Sequence, residues 1–504
     1  MSRQHPSLPT QHSPAGLPTE TSSTSFWHSQ PSPLLKAHRS TRNLPASASV
    51  VIIGSGITGA SVAHHLLTKD NGSSSNSNGK GLNVVMLEAR EACWGATGRN
   101  GGHCQPLLIE SSEDPGIGHF ELANFYALQK LIKEENIDCE FVVQPSVRAI
   151  YSDRHLQEAE LELQTMERTA PDLRKMMRIV TSKDELKQYR IATAKGAIVT
   201  SLASRLWPYK FVSHILTSLL TSTDLKGTFN LQTLTPATSF SFSSAEDSPG
   251  WYVHTPRGVI HADKVVLATN AYTSHLLPNF ADLIVPCRGQ MSALVPLPSV
   301  AGKNRLQSSY GFLGDGLDDY LIQRPNETGG HLMFGGGRQH GPSIGVTDDN
   351  VVDPETAKYL RSRLVDCLSL PEGGEFQATH QWSGIMGFSR DERPWVGPVP
   401  SSAQSVARPG MFVSAGYTGH GMPNTWLCGK AVALMVQKTI DFPSDPEWAV
   451  EMAAGEVNLP VSYRLTIERM AKAMKVESVE SKDWSEMERG GVAEAGDRPP
   501  SGYA

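Results

Sequence analysis

The sequence predicts an α/β protein whose centre is a Rossmann-like domain, assembled from discontinuous stretches of chain with an α+β lobe inserted between them. Three observations carry this. Val50-Val51-Ile52-Ile53 runs straight into Gly54-Ser55-Gly56-Ile57-Thr58-Gly59, an apolar strand meeting a glycine turn that opens a helix. Val265-Val266-Leu267-Ala268 is a second short apolar run of the kind that is buried on both faces of a parallel sheet. Far downstream, Gly410 to Val436 again reads as strand, glycine loop and helix.

The first residues, 1–48, are rich in Ser, Pro, Thr and His and lack an apolar core segment, so they read as a disordered leader rather than a secretory signal. Few acidic residues there leave a mitochondrial address open, against which the prolines argue. In the strand and turn that follow, Gly54 allows the sharp turn, Gly56 lets the backbone approach phosphate, and Gly59 lets the helix Ile57 to Leu67 pack closely on its strand. Ser55, Ile57 and Thr58 complete the loop, and the positive end of the helix faces the anion. Val84 to Glu88 reads as the next parallel strand, with Glu88 placed for the two hydroxyls of an adenosine ribose and Ala89 and Arg90 following it. The glycines and Glu88 lie further apart than the usual ~20 residues because Asp70 to Lys80 is a solvated Asn/Ser/Gly insertion. Together these residues point to an adenine dinucleotide.

Residues 49–110 thus form the first part of the dinucleotide domain. Residues 111–195 carry charged amphipathic segments, Phe120 to Glu135 and His155 to Arg168, expected as surface helices of a separate lobe. Residues 196–290 are assigned to a second part of the dinucleotide domain, with a helix over Val212 to Leu220, a small antiparallel meander over Phe229 to Val259 and the buried strand at Lys264 to Ala268. A β-rich substrate domain, 291–377, precedes the third part, 378–440. Residues 441–504 form a partly disordered extension, polar after Glu477 and lacking a C-terminal Ser-Lys-Leu.

A chain of 504 residues has room for a large core, and its formal charge of −6 with no long basic run argues against nucleic acid as a partner. No apolar stretch approaches the ~20 residues of a membrane span. Cys93, Cys104, Cys139, Cys287, Cys367 and Cys428 show no paired or zinc spacing, so reduced thiols and a cytoplasmic location are the simplest expectation. His103, His340, His380 and His420 are too scattered to suggest a metal site, so no metal is expected. A small molecule is the expected partner.

Gly95-Ala96-Thr97-Gly98-Arg99-Asn100-Gly101-Gly102-His103 lies shortly after Glu88, where a nicotinamide enzyme would continue its βαβ alternation. Here the chain resembles the D-amino-acid-oxidase-like FAD oxidoreductases, which include glycine and sarcosine oxidases, and especially the γ-glutamylputrescine oxidase group with its Gly-Arg-Asn-Gly-Gly signature. Further landmarks agree: Ala268-Thr269-Asn270-Ala271-Tyr272, Ile284 to Gln290, Trp382 to Gly387, and Gly410 to Pro423 with Gly416, Gly419, His420, Gly421 and Met422. The resemblance spans about Val50 to Met435. It implies a glutathione-reductase-like, Rossmann-like FAD-binding domain with Gly95 to Gly102, Thr269, Asn270, Gly387 and the Gly416 to Met422 loop around the cofactor.

It also implies oxidation of a neutral primary or secondary amine or amino acid to an imine, with molecular oxygen as acceptor and hydrogen peroxide released. FAD is expected to be noncovalent; Cys287 and His103 are the nearest residues to test for attachment. Tyr320 and Arg324, just before the stretch Met333 to Arg338, are candidate pocket residues, as are Trp382, Arg390 and His420, although a surface ion pair explains Arg324 as well and core packing explains Trp382. An arginine offers a bidentate clamp for a carboxylate. Asp315, Asp318 and Asp319 could attract a cationic amine, although a solvated loop explains them as well. A dehydrogenase using another acceptor, a FAD-binding protein without turnover, and an NAD-dependent dehydrogenase are the competing readings.

Overall fold

The computed structural model describes residues 12–68, 81–244, 249–403 and 409–476. The Asp70 to Lys80 insertion, residues 1–11 of the leader and the tail after 476 lie outside the described residues.

Two sheets organise the chain. In the first, the strands run in the order Trp395–Pro398, Met411–Ala415, Gly258–Leu267, Ser47–Ile53, Leu82–Leu87 and Gly227–Gln232. The four consecutive pairings from Met411–Ala415 to Gly227–Gln232 are parallel, and Ile53 sits level with both Leu87 and Leu267. The unbroken apolar runs follow from burial on both faces. Val50, Ile52, Val84 and Met86 enter one core, while Val51, Ile53, Val85 and Leu87 enter another. The expected helix spans Ile57–Leu67 and crosses the Thr425–Asp441 helix so closely that a Cβ at Gly429 would lie 2.6 Å from that of Ser61. Of the expected meander, Ser239–Ser243, Gly250–Thr255 and Gly258–Leu267 are antiparallel. Gly227–Gln232 instead extends the parallel sheet.

The second sheet runs Ala378–Ser389, Ile284–Leu294, Leu332–Gly336, Leu317–Gln323, Ser309–Gly314, Val142–Ile150, Gly196–Arg205 and His103–Cys104, with Met177–Val180 also on Gly196–Arg205. This corrects three expected boundaries. Gly196–Arg205, Ile284–Leu294 as far as Gln290, and Ala378–Ser389 fall in the stretches expected for the dinucleotide domain, yet their ladders belong to this sheet. The 111–195 stretch contributes two strands besides its helices, and its Pro115–Glu134 helix is no surface element of a separate lobe. Asn124 Oδ1 accepts from the backbone N–H of Leu427 at 2.9 Å, and Phe120, Phe125 and Leu128 join the dinucleotide core. The extension also packs, with Ala449 and Ala453 of the Pro446–Glu456 helix buried.

The leader is the largest correction. From residue 12 onward it is laid onto the body of the protein, with Phe26, Trp27 and Leu35 buried in the dinucleotide core. Ser25 Oγ donates to the Gly98 carbonyl at 2.8 Å, Trp27 Nε1 donates to the Asn100 carbonyl, and Trp207 Nε1 donates to the Trp27 carbonyl at 2.8 Å. A Ser/Pro-rich composition hid three large apolar side chains, Phe26, Trp27 and Leu35, that are buried against the rest of the core. Truncating fully buried Trp27 to Ala should destabilise the protein by about 3–5 kcal/mol in denaturant unfolding; a loss within ~0.5 kcal/mol would mean that the segment is only loosely attached.

Candidate active site

The carboxyl ends of the parallel strands open onto one large cavity, the position at which such sheets bind ligands. Gly54 has φ +107°, and a Cβ there would stand 2.5 Å from the Ala268 carbonyl oxygen. A Cβ at Gly59 would stand 2.0 Å from the Gly54 carbonyl oxygen, so the third glycine serves helix packing and does not line the cavity. Gly56 offers no side chain of its own to cap the Ile57–Leu67 helix; Thr97 Oγ1 accepts from the Ile57 N–H at 3.1 Å, and Gly56, Ile57 and Thr58 at the helix start line the cavity. Glu88 lies in the wall, its carboxylate accepting from the Ser55 N–H at 3.0 Å, Ser55 Oγ at 2.7 Å and the Arg90 N–H at 2.9 Å.

The Gly95 to Gly102 loop forms the next stretch of wall. Gly95, Ala96, Thr97, Arg99, Asn100 and Gly101 line the cavity, as do Ser55, Ile57, Thr58, Ala89 and Arg90. Gly98 and Gly102 do not; they admit neighbours instead. A Cβ at Gly98 would meet His28 Nε2 at 2.4 Å, and one at Gly102 would meet the Leu206 carbonyl at 2.5 Å. Behind the loop, Asp349 is buried and pairs with Arg90 at 2.9 Å and Arg99 at 3.3 Å.

Across the cavity, Thr269 and Asn270 meet the C-terminal loop. Asn270 Oδ1 accepts from the Gly416 N–H at 3.0 Å, and the Gly387 carbonyl accepts from the Thr418 N–H at 2.8 Å. Gly419, His420, Gly421 and Met422 line the cavity, whereas Gly387 and Gly416 only set the loop's path. Gly416, at φ +77°, turns the chain against Ile284 and Trp395.

Further in, the second sheet supplies a polar wall. Alternation along Leu317–Gln323 places Asp318 and Tyr320 on the cavity side and turns Asp319 to the opposite face, where it accepts from Tyr359 Oη at 2.6 Å and the Gly337 N–H at 2.8 Å. Asp318 is ion-paired with Arg338, whose guanidinium stacks 4.9 Å from the Phe388 ring centre. Burial pushes the Asp318 carboxyl up, against the pull of Arg338. Arg148 pairs with Glu110 at 2.7 Å. Tyr320 Oη lies 3.0 Å from Met291 Sδ, and its ring fills the space that a Cβ at Gly101 would claim at 2.2 Å. His103 reaches the cavity as a neutral imidazole, pushed down to about 3 by burial and by His420.

Of the five candidate pocket residues, Tyr320 and His420 are in the wall and three are not. Arg324 is buried elsewhere, paired with Glu140 and stacked 4.5 Å from the Phe26 ring centre. Trp382 is core, with Nε1 donating to the Arg99 carbonyl at 2.8 Å. Arg390 Nε donates to the Val476 carbonyl at 2.9 Å, which holds the C-terminal segment. Sequence reasoning missed Arg148, Gln290 and Met386 as wall residues, along with Leu17 and Pro18 of the leader. Arg338 and Asp318 were seen, but their pairing was not. Cys287 is buried outside the wall. Among the described residues, no group of three His, Cys, Asp or Glu side chains could hold a metal ion, and no helix is long and apolar enough to cross a membrane.

The donor set fits an adenine dinucleotide carrying a second ring system: a helix start for phosphate, a strand-end carboxylate for ribose, and two small-residue loops facing each other beyond them. Residues 49–435 match the family model described as FAD dependent oxidoreductase (DAO). The chain belongs to this family. FAD is its cofactor, and the protein is an oxidoreductase.

Among curated members, γ-glutamylputrescine oxidoreductase of Escherichia coli K12 is 22% identical over 79% of this chain and 85% of its own. Glycine oxidase of Pseudomonas aeruginosa is 29% identical over 34% of this chain and 40% of its own. Among solved structures, glycine oxidase from Geobacillus kaustophilus superposes with a TM-score of 0.59 at 18% identity, covering 78% of this chain and 95% of that one. L-Proline dehydrogenase from P. horikoshii also gives 0.59, at 19% identity, covering 78% and 94%. These likenesses show a shared fold.

Replacing Glu88 with Ala removes charge-assisted acceptors for the ribose, each worth about 1.5–3 kcal/mol. FAD affinity, measured by titrating the apoprotein, should fall about 10- to 100-fold; an unchanged affinity would move the adenosine end elsewhere in the cavity.

Proposed function

We propose that the protein oxidises the C–N bond of a primary or secondary amine or amino acid to an imine, with molecular oxygen as final acceptor and hydrogen peroxide as the second product. The observation that carries the reading is the polar wall that Arg338, Asp318, Arg148 and Tyr320 of the second sheet add to the cavity lined by the dinucleotide-binding loops. The E. coli relative named γ-glutamylputrescine oxidoreductase and the P. aeruginosa glycine oxidase support an amine-bearing substrate.

The chemistry that FAD supplies when bound is acceptance of a hydride from the carbon next to nitrogen. The chain's own residues bind and orient. Tyr320, Met291 and Met386 give the substrate an apolar seat. Arg338 offers a planar fork to a carboxylate, and Asp318 fixes that fork from the side. The cavity walls exclude water from the C–H bond and favour the uncharged amine, since burial disfavours an ammonium. The cofactor is held noncovalently, a reading supported by the position of Cys287 outside the wall, while His103, which lines the cavity, is the residue to test for attachment.

An anaerobic reduction screen over polyamines, γ-glutamylated amines, sarcosine, glycine and D-amino acids is expected to bleach the flavin with at least one class, and failure with all of them would defeat the amine reading. Peroxide release compared with dye reduction separates oxygen from another acceptor, and acid precipitation should leave the yellow colour in the supernatant. Arg338→Lys keeps the charge but loses the fork, so KM for carboxylate-bearing substrates should rise about tenfold, equivalent to roughly 1.5 kcal/mol, with kcat preserved. An equal rise for amines lacking a carboxylate would remove Arg338 from that role.

A further inference from the structure

Glu121 lies on the buried face of the Pro115–Glu134 helix, with its side chain 3% exposed. A carboxylate in that position survives only with partners. Oε2 accepts from the Leu107 N–H at 2.8 Å, Oε1 accepts from Asn424 Nδ2 at 3.0 Å, and His420 Nε2 stands 2.9 Å from Oε1. His420 therefore bridges two regions. One side of it belongs to the wall of the FAD cavity, and the other closes a small adjoining pocket bounded by Glu110, Glu121, Glu392, Arg393 and Tyr463.

The charges around this imidazole come from every element packed on it. Glu121 on the helix and Glu110 on the Leu108–Ser111 turn favour its protonation, while Arg393 opposes it. Glu392 borders the same pocket, Tyr417 precedes it in the loop, and His103 faces it as a neutral ring. Burial alone would drive His420 to the neutral form, but the two carboxylates outweigh burial and hold its pKa above the ordinary 6.5.

We propose that Glu121 is a positioning residue that holds His420 as a fixed imidazolium in the wall of the FAD cavity, and that this charge makes the bound flavin a better electron acceptor. A flavin gains negative charge on reduction, and a preorganised cation in a low-dielectric wall stabilises it more than mobile ions in water could. The helix start at Thr425 adds only partial charge from its amides. The inference rests on FAD occupying this cavity and not on which amine is oxidised.

The sign with pH follows. The imidazolium is complete below the raised pKa and is lost as pH rises through it, so the flavin potential should drop by an extra step in that window, above pH 6.5. In Glu121→Gln burial dominates and the step moves below 6.5.

The test uses FAD-loaded protein with ¹³C-labelled histidines, the His420 resonance being assigned by its disappearance in His420→Gln, together with spectroelectrochemical titration at pH 6. The wild type should show a charged His420 and Glu121→Gln a neutral one. His420→Gln, which leaves the Glu121 anion without its cation, should have a potential lower by about 30 mV or more, tenfold in a two-electron equilibrium; Glu121→Gln, which loses an anion together with the proton, is read by the charge on His420. A neutral His420 in the wild type, or a wild-type potential in His420→Gln, overturns the proposal; the latter comparison stands even if Glu121→Gln does not fold. Substrate screening is not involved, so this outcome is independent of the amine assignment.

Discussion

One buried carboxylate fixes the geometry on which the cofactor site depends. Asp349 is fully buried and receives Arg90 Nη1 on both oxygens, at 2.9 and 3.0 Å, with Arg99 Nε at 3.3 Å and Thr19 Oγ1 at 2.9 Å. Its backbone carbonyl also accepts from the N–H and hydroxyl of Ser23. Four segments distant in sequence therefore meet at this residue: the leader, the turn after Glu88, the Gly95 to Gly102 loop, and the Asp349 turn itself. Two guanidiniums share one acid, and the strain of that imbalance appears at Arg99, pushed down to about 10 by burial and Arg90 despite the pull of Asp349. Such an arrangement holds only if the remaining donors are satisfied, and Arg99 meets that need through the carbonyls of Trp94, Ser383 and Ser23. These contacts tie the backbone of the loop to the body of the protein.

The two sheets divide the work. The parallel sheet, buried on both faces, brings the ends of three strands level and so aligns the glycine turn, Glu88 and the Thr269–Asn270 turn on one rim. The second sheet, through the alternation of its strands, presents one polar face to the same space while Leu321 and Phe334 on its other face pack with Leu360 of the Pro354–Cys367 helix. Asp318, Tyr320 and Arg148 owe their position to this alternation, not to any local motif. A shift of one residue along Leu317–Gln323 would exchange Asp318 and Tyr320 for Asp319 and Leu321 and remove the site.

What was legible in the sequence was what is decided locally. The helix Ile57–Leu67, the strand before it and the glycine loops follow from backbone constraints acting over a few residues, and their positions agree with the structure. The fold class was legible for the same reason. The partners of individual charges were not. Arg324 looked like a pocket arginine, but its carboxylate, Glu140, is 184 residues away in sequence. Arg390 reads no differently from Arg338 until one is seen bound to Val476 and the other to Asp318. Glu121 was concealed inside an amphipathic pattern that placed the helix on the surface. The leader was misread because averaging over Ser and Pro masked Phe26 and Trp27, whose burial depends on a groove made by Trp207 and the flavin-side loop.

The inner wall has a further consequence for selectivity. Its arginines come matched: Arg338 with Asp318 and Arg148 with Glu110. Each pair has already met much of its desolvation cost within the folded protein, and the wall as a whole is close to neutral. A ligand is then not drawn in by net charge, since the Coulombic attraction of each cation is largely cancelled by its own acid at a few ångströms. Discrimination must arise from direction. A carboxylate gains only where it can align with the plane of an arginine fork, and an ammonium gains only where it can reach a carboxylate oxygen without displacing that fork. A wall built this way suits a substrate that must shed its charge at the reacting nitrogen while being held by charge elsewhere, because no strong field opposes loss of the proton at the point where the C–H bond is presented.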